Sequence, residues 1–175
     1  ALKDQLAPCQ AWLGAYPSSV LGDMPAAEAQ ALLEGGAEAQ LQQLIAHDED
    51  VVIPASATEK IHYEGELVVV IGKKAKHLTE ANAMDCVFGY MNFIDGSARG
   101  LPPAGNTFYQ MKSRATFAPL GPYIVTADEI SDPHNLQVRL WVNGTLMQNY
   151  HTSDMAHKIP RCIEWLTAIH TLMPG

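Results

Sequence analysis

Alternating apolar and polar positions dominate the chain after residue 50 and predict a β-rich body. The stretch IHYEGELVVVIG, residues 61–72, is apolar on both faces beyond Glu66, which is typical of a strand that enters a core. Strands are also predicted in EDVVIPAS, at residues 87–94 and in the segment that APLGP opens. In LQVRLWVNGTLMQNY, apolar residues alternate on either side of Asn143-Gly144, and this pattern predicts a β-hairpin.

Helical patterns flank these strands. Residues 24–46 are rich in Ala, Gln, Glu and Leu and predict two short helices broken by Gly35 and Gly36. Thr79 is predicted to cap an Ala-rich helix ahead of the strand at 87–94. The segment SDMAHKIPRCIEWLTAIHTLMPG predicts a helix with one side formed by Ile163, Leu166, Ile169 and His170.

Together these patterns predict an α+β fold, with a helical segment at residues 1–46 and a β-rich body at 47–175. A chain of 175 residues with 47% hydrophobic content is long enough for one domain with its own core. The sequence shows neither an apolar run long enough to span a bilayer nor the charged and apolar regions of a signal peptide.

Charge and cysteine content narrow the function classes. Asp and Glu number 19 against 11 Lys and Arg, a formal charge of −8, which argues against nucleic acid or an anionic membrane as the main partner. Cys9, Cys86 and Cys162 are odd in number and lack metal-ligand spacing, so we expect reduced, buried thiols and a cytoplasmic protein.

Two glutamates lie one residue apart at the mouth of the strand at 61–72. Residues two apart share one face of a strand, so Glu64 and Glu66 lie side by side. Their repulsion is relieved by a raised pKa on one of them, by a cationic partner or by a bound metal. The alternative is that both are solvated residues at a strand end.

Two further segments carry candidate chemistry. In FIDGSARG, Asp95 follows an apolar strand directly and Arg99 comes four residues later, although Asp-Gly often marks only a turn. In YQMKSRATFAPLGPYIV, Lys112 and Arg114 lie in a polar loop ahead of a strand. A lone lysine at such a place is commonly solvated surface.

Taken together, the motifs resemble those of the fumarylacetoacetate hydrolase family from about Val51 to Gly175. They occur in the family's order and at similar spacing, and they are YEGELVVVIGK, GYMNFIDGSARG, MKSRATFAPLGPYIVT, VNGTLMQNYHTSDM and LMPG. The resemblance implies a mixed β-roll or β-sandwich core of the fumarylacetoacetate hydrolase type as the catalytic body at residues 47–175. It also implies a homodimer, for which Trp141 and Met147 on the hairpin are candidate contacts.

The resemblance also implies site residues. Glu64, Glu66 and Asp95 match carboxylates that hold a divalent metal, and a carboxylate-only set suits Mg²⁺, Mn²⁺ or Ca²⁺. Lys112 matches a lysine that contacts the substrate or its developing negative charge, and is the expected catalytic and substrate-binding residue. Arg99 matches an arginine beside the metal aspartate. The resemblance implies that Arg99 supports the metal ligands, with substrate binding as its other expected role.

Two function classes follow. The first is a metal-dependent hydrolase, decarboxylase or isomerase of small 2-oxo or dicarboxylic acids, such as acylpyruvates or aromatic-degradation intermediates, in which a metal stabilises an enolate. The second is a non-catalytic relative that binds a metal or ligand. The residues leave the choice among the three reactions open.

The chain also departs from the family pattern. Ile94 and Gly100 stand where the family usually has other residues, and LPPAG replaces a segment that often carries a glutamine. No His-x-x-Glu lid is recognisable, and His47 is interpreted as a loop histidine. The chain stops before the family's Thr-Gly-Thr strand, so we expect a core that is incomplete at the C-terminus and binds metal better than it turns over substrate.

Overall fold

The computed structural model describes residues 43–53, 60–99 and 111–175. These form six strands and one α-helix: β1 Leu44–Ala46, β2 Ile61–Ile71, β3 Val87–Ala98, β4 Ala118–Thr126, β5 Gln137–Val142, β6 Thr145–His151 and α1 Ile159–Ile169. Two short 3-10 helices span Ala83–Cys86 and Thr152–Asp154. The α+β class predicted from the sequence is therefore confirmed.

Four strands form the main sheet in the order β1-β4-β3-β2. The antiparallel β2–β3 pair is its longest ladder and runs from Ile61 opposite Ala98 to Ile71 opposite Val87. β4 pairs antiparallel with β3, and the short β1 adds to β4 in parallel. Since β2 is at the end of this order, no described strand pairs with its outer edge, where other parts of the chain can make contacts.

The predicted hairpin forms a second, two-stranded sheet. β5 and β6 pair antiparallel, and the turn between them is Asn143-Gly144 with φ of 48° and 78°. Asn and Gly tolerate this left-handed backbone better than other residues, and this explains the strength of the sequence signal. The hairpin packs against β2, where Leu140 approaches Gly65.

The main apolar core lies on the odd-numbered face of β2. Buried Cys86, Tyr90, Ile159 and Ile163 form its centre, and Leu67, Val69 and Ile71 pack against them. Helix α1 thus covers the far end of β2 and β3, away from the paired glutamates. This packing keeps the end of β2 that carries Glu64 and Glu66 outside the main core.

Helix predictions were right in part. Helix α1 forms, but its buried positions are Ile159, Ile163 and Thr167, while Leu166 and Ile169 are 38% and 57% exposed. The buried positions recur every four residues along the whole helix, so the predicted side was right at Ile163 and wrong at Leu166, Ile169 and His170. Thr79 does not cap an α-helix, since the residues that follow form only the 3-10 helix Ala83–Cys86.

Strand boundaries also differ from the predictions. Leu44–Ala46, at the end of the segment expected to be helical, is a strand on β4, and residues 49–53 of the predicted EDVVIPAS strand are irregular and exposed. The other predicted helical residues, up to 42, lie outside the described ones. β3 continues through Asp95 to Ala98 rather than ending at residue 94.

Within the described part of the chain, no helix is long and apolar enough to cross a membrane. The two described cysteines are free thiols. Cys86 is buried as predicted, whereas Cys162 is exposed, which corrects the expectation of a buried residue. Cys162 lies in α1 one position before buried Ile163, on a side of the helix that faces solvent.

Candidate metal centre

The register of β2 and β3 brings the three predicted carboxylates together. Glu64 pairs with Asp95 across the antiparallel ladder, and Glu66 lies two residues further along β2. Directly opposed residues share a face of the sheet, as do residues two apart on one strand. One oxygen of each side chain lies within 4.8 Å of the others.

Asp95 lies within the continuous strand β3 and not in a turn. The next residue, Gly96, is buried and donates its N–H to the carbonyl of Phe117 at 2.9 Å. A Cβ atom on Gly96 would lie 2.7 Å from that carbonyl oxygen. Only glycine therefore allows β3 to pass Phe117 this closely and to continue beyond Asp95.

Lys112 lies among these carboxylates, ahead of β4. Its Nζ donates to Glu64 Oε2 at 2.6 Å and also to Asp95 Oδ2. The Lys112 side chain is 23% exposed, so its charge is only partly hydrated. The ammonium contacts two of the three carboxylates, and its single positive charge is shared between them.

Arg99 supports the opposite side of Glu64. Its Nη2 donates to Glu64 Oε1 at 2.8 Å, and its Nε donates to His62 Nδ1 at 3.1 Å. Ser97 donates its hydroxyl to the same Glu64 oxygen at 3.3 Å. Glu64 is therefore held by two cations and a hydroxyl, and Arg99 contacts Glu64 rather than Asp95.

The three acidic side chains do not share the same electrostatic environment. The hydrogen bond from Lys112 lowers the pKa of Glu64 from its ordinary value of 4.5, although partial burial acts against it. Although Glu66 is exposed on its strand, partial desolvation by its neighbours first, and then the charge of Asp95, raise its pKa. Among the described residues Glu66 has no hydrogen-bond donor, so its charge is the least compensated of the three.

Opposing effects also act on Lys112. Burial by itself acts to lower its pKa, but the hydrogen bonds to Asp95 and Glu64 outweigh burial and raise the pKa above its ordinary value of 10.5. The lysine is therefore a stable ammonium ion at neutral pH. It can serve as a fixed positive charge toward an anion.

The donor set fits a hard divalent cation. Ca²⁺ binds oxygens at up to about 2.6 Å and Mg²⁺ at about 2.1 Å, so two oxygens on one ion lie at most about 5.2 Å apart for Ca²⁺ and about 4.2 Å apart for Mg²⁺. The oxygens of Glu64, Glu66 and Asp95, all within 4.8 Å of one another, meet the Ca²⁺ limit as they stand and meet the Mg²⁺ limit after side-chain shifts of a few tenths of an ångström. Carboxylate oxygens without thiolate or imidazole favour Mg²⁺, Mn²⁺ or Ca²⁺ over a structural zinc.

Sequence reasoning did not single out Ser97 and His62, which both belong to this network. Each is two residues from a predicted ligand on the same strand, Ser97 from Asp95 and His62 from Glu64. The two-residue period of a strand was the signal that could have found them. His47, interpreted as a loop histidine, lies in an exposed turn beside Asp48.

Comparison with known proteins identifies the family of this chain. Residues 29–175 match the model of the fumarylacetoacetate (FAA) hydrolase C-terminal domain. The match covers most of the chain, so the chain belongs to the fumarylacetoacetate hydrolase family, which confirms the resemblance inferred from the motifs.

Individual relatives carry several activities. The chain is 42% identical over 134 residues to the mitochondrial oxaloacetate tautomerase fahd2 of Xenopus laevis, covering 75% of this chain and 42% of the relative. It is 45% identical over 118 residues to the 4-hydroxyphenylacetate degradation bifunctional isomerase/decarboxylase of Salmonella dublin, covering 67% of this chain and 28% of the relative.

A solved structure in this family is also similar. Maleylpyruvate hydrolase from Sphingobium sp. SYK-6, in complex with manganese (II) ion and pyruvate, superimposes with a TM-score of 0.69 at 36% identity. The comparison covers 77% of this chain and 48% of that one. The chain therefore spans about half, or less, of the length of the relatives it matches.

Proposed function

We propose that this chain carries the metal site of an enzyme for small 2-oxo or dicarboxylic acids. The reaction is hydrolysis, decarboxylation or isomerisation of acylpyruvates or of intermediates in aromatic-compound degradation. The observation that carries the proposal is the convergence of Glu64, Glu66 and Asp95 on one face, with the Lys112 ammonium against two of them. The named activities of the relatives support the same class of substrate.

We propose Mg²⁺ as the resident cation, with Mn²⁺ or Ca²⁺ as alternatives held by the same three carboxylates. Their oxygen-only donor set supports a hard cation, and the relative with manganese and pyruvate supports a divalent one. A cation bound there supplies Lewis acidity toward the oxygens of a 2-oxo acid. The carboxylates then hold the cation, and their negative charge is balanced by Lys112 and Arg99.

Lys112 is the proposed catalytic and substrate-binding residue. Its ammonium lies beside the carboxylates, so it is placed to pair with a substrate carboxylate or with negative charge that develops on the substrate. Arg99 contacts Glu64 and His62, so its first proposed role is to orient Glu64. A direct contact of Arg99 with substrate is a second proposed role.

The test is turnover by the purified chain with Mg²⁺ or Mn²⁺ and a panel of acylpyruvates, oxaloacetate and 2-hydroxymuconate-type acids. Product formation followed by NMR is expected only with metal present, and Glu66→Gln should abolish it. Mn²⁺ binding without turnover of any acid would favour the non-catalytic metal-binding class. Absence of Mn²⁺ binding in calorimetry would refute the metal site itself.

We further propose that the protein is a cytoplasmic homodimer. Trp141 and Met147 on the hairpin are 56% and 50% exposed, so neither side chain is buried in the core of this chain. Large apolar side chains exposed together on one sheet favour a protein contact. The exposed free thiol of Cys162 suits a reducing compartment.

A further inference from the structure

The backbone of Gly65, between the paired glutamates, is held by two side chains of the hairpin. The Gly65 N–H donates to Gln148 Oε1 at 2.8 Å, and the Tyr150 hydroxyl donates to the Gly65 carbonyl at 2.9 Å. Gln148 and Tyr150 are two residues apart on β6 and therefore lie on the same face of the hairpin. Both hydrogen bonds cross from the second sheet to the free edge of the main sheet.

These two bonds act on both peptide groups that flank Gly65. The N–H belongs to the peptide that joins Glu64 to Gly65, and the carbonyl belongs to the peptide that joins Gly65 to Glu66. Fixing both groups fixes the direction in which the two glutamate side chains leave the strand. Glycine is otherwise the residue most free to change its backbone angles, and no strand of the described residues pairs with β2 on this edge.

The contact is close because position 65 has no side chain. A Cβ atom there would lie 3.1 Å from Leu140 Cδ1 and 3.2 Å from Gln148 Oε1. Gly65 is also buried, so water does not readily replace a lost hydrogen bond.

We propose that Gln148 and Tyr150 are positioning residues that hold Glu64 and Glu66 at the separation a shared divalent cation requires. They act through the backbone of Gly65 and touch neither metal nor substrate. This inference rests on the proposed metal site. It assigns to the hairpin a role in preparing the ligands, in addition to its role in packing.

The experiment measures Mn²⁺ affinity by calorimetry and the electron paramagnetic resonance spectrum of bound Mn²⁺. Tyr150→Phe removes one hydroxyl, and Gln148→Leu removes the acceptor for the Gly65 N–H. Each variant should weaken Mn²⁺ binding about tenfold, as losses of outer partners of metal ligands typically do, and should broaden the spectrum. Tyr123→Phe is the matched control, because Tyr123 is 69% exposed and should leave both readouts unchanged.

A purely structural role gives a different result. In that case thermal midpoints fall, but Mn²⁺ affinity and spectrum, measured well below those midpoints, match the wild type, and the positioning role is overturned. Amide hydrogen exchange at Gly65 should accelerate in Gln148→Leu, and an unchanged rate there would also overturn it. A wild type that binds no Mn²⁺ instead refutes the proposed metal site, so the two failures are distinguishable.

Discussion

Glu64 on β2 lies directly opposite Asp95 on β3, and the Lys112 ammonium bridges their carboxylates. Two acids that face each other across a ladder repel, and like charges in this position destabilise a sheet. The bridging lysine removes that cost before any metal binds. Glu66 is left without such a partner among the described residues, which makes the three carboxylates electrostatically unequal.

Glu66→Gln should separate metal binding from stability. Partial desolvation and then the charge of Asp95 raise the pKa of the Glu66 carboxyl. Replacing this carboxylate by a neutral amide relieves repulsion, so the thermal midpoint of the metal-free protein should be unchanged or higher. Mn²⁺ affinity should fall by at least about tenfold. Loss of a residue that only supports a metal ligand typically lowers affinity by about 10- to 100-fold, and loss of a ligand should cost no less. Calorimetry and thermal unfolding give the two values. The control is Glu80→Gln, at an exposed site. Equal Mn²⁺ affinity in the wild type and in Glu66→Gln would contradict the assignment of Glu66 as a metal ligand.

Lys112→Met should bind Mn²⁺ more tightly while turning over substrate more slowly. The lysine holds oxygens of Glu64 and Asp95 that a cation needs, so its removal frees two ligands and leaves the site more negative. We expect Mn²⁺ affinity to rise about tenfold, which corresponds to about 1.4 kcal/mol of binding free energy. Titration with Mn²⁺ and steady-state kinetics measure both effects, with Lys74→Met at an exposed position as control. Kinetics identical to the wild type would remove Lys112 from the proposed catalytic role.

Gly96→Ala should displace Asp95. The new Cβ atom would lie 2.7 Å from the Phe117 carbonyl oxygen, so β3 or the Phe117 backbone must shift. Overpacking of this kind costs about 1 to 3 kcal/mol in the free energy of unfolding, and Mn²⁺ affinity should fall with it. Urea unfolding and calorimetry are the measurements. Asn92→Ala, at an exposed position of the same strand, should change neither value by a comparable amount, and a similar loss there would show that the clash is not the cause.

Stability should decline in alkaline solution because of buried Cys86. Burial raises the pKa of its thiol above 9.0, so as pH rises past about 9 the unfolded chain releases this proton while the folded chain keeps it. The free energy of unfolding therefore falls between about pH 9 and the pKa of Cys86 in the folded state. Below about pH 9 the thiol is protonated in both states, and its contribution to stability is intact. Urea unfolding at pH 7.5, 8.5 and 9.5 should show a smaller decline in Cys86→Ala. Cys162→Ala, at an exposed thiol, should keep the wild-type slope.

The hairpin surface should support dimerisation. Light scattering is expected to give twice the chain mass of 19.0 kDa at micromolar concentration. Trp141→Lys should shift the population to monomer, because a charge would be buried in the contact. Trp165→Lys places the same change on α1, at a residue that is 60% exposed, and should leave the dimer intact. A mass of 19.0 kDa for the wild type at every concentration would refute the dimer.

Local patterns determined much of this protein from the sequence alone. The period of two placed Glu64 and Glu66 on one face, and Asn143-Gly144 gave the hairpin turn, because both depend on neighbouring residues only. The ordered motifs gave the family and its α+β class. Helix faces and strand ends were predicted less well, as with Leu166 and residues 49–53, because burial there depends on what packs against them.

Only the tertiary structure decided how distant segments meet. The pairing of Glu64 with Asp95 depends on the register of two strands, and a slip of one residue would move one of these carboxylates to the opposite face. The hydrogen bonds between Gly65 and the side chains of Gln148 and Tyr150 depend on how the second sheet docks on the first. Sequence patterns record which face a side chain takes, whereas contacts between segments are set by packing and register, which no single segment encodes.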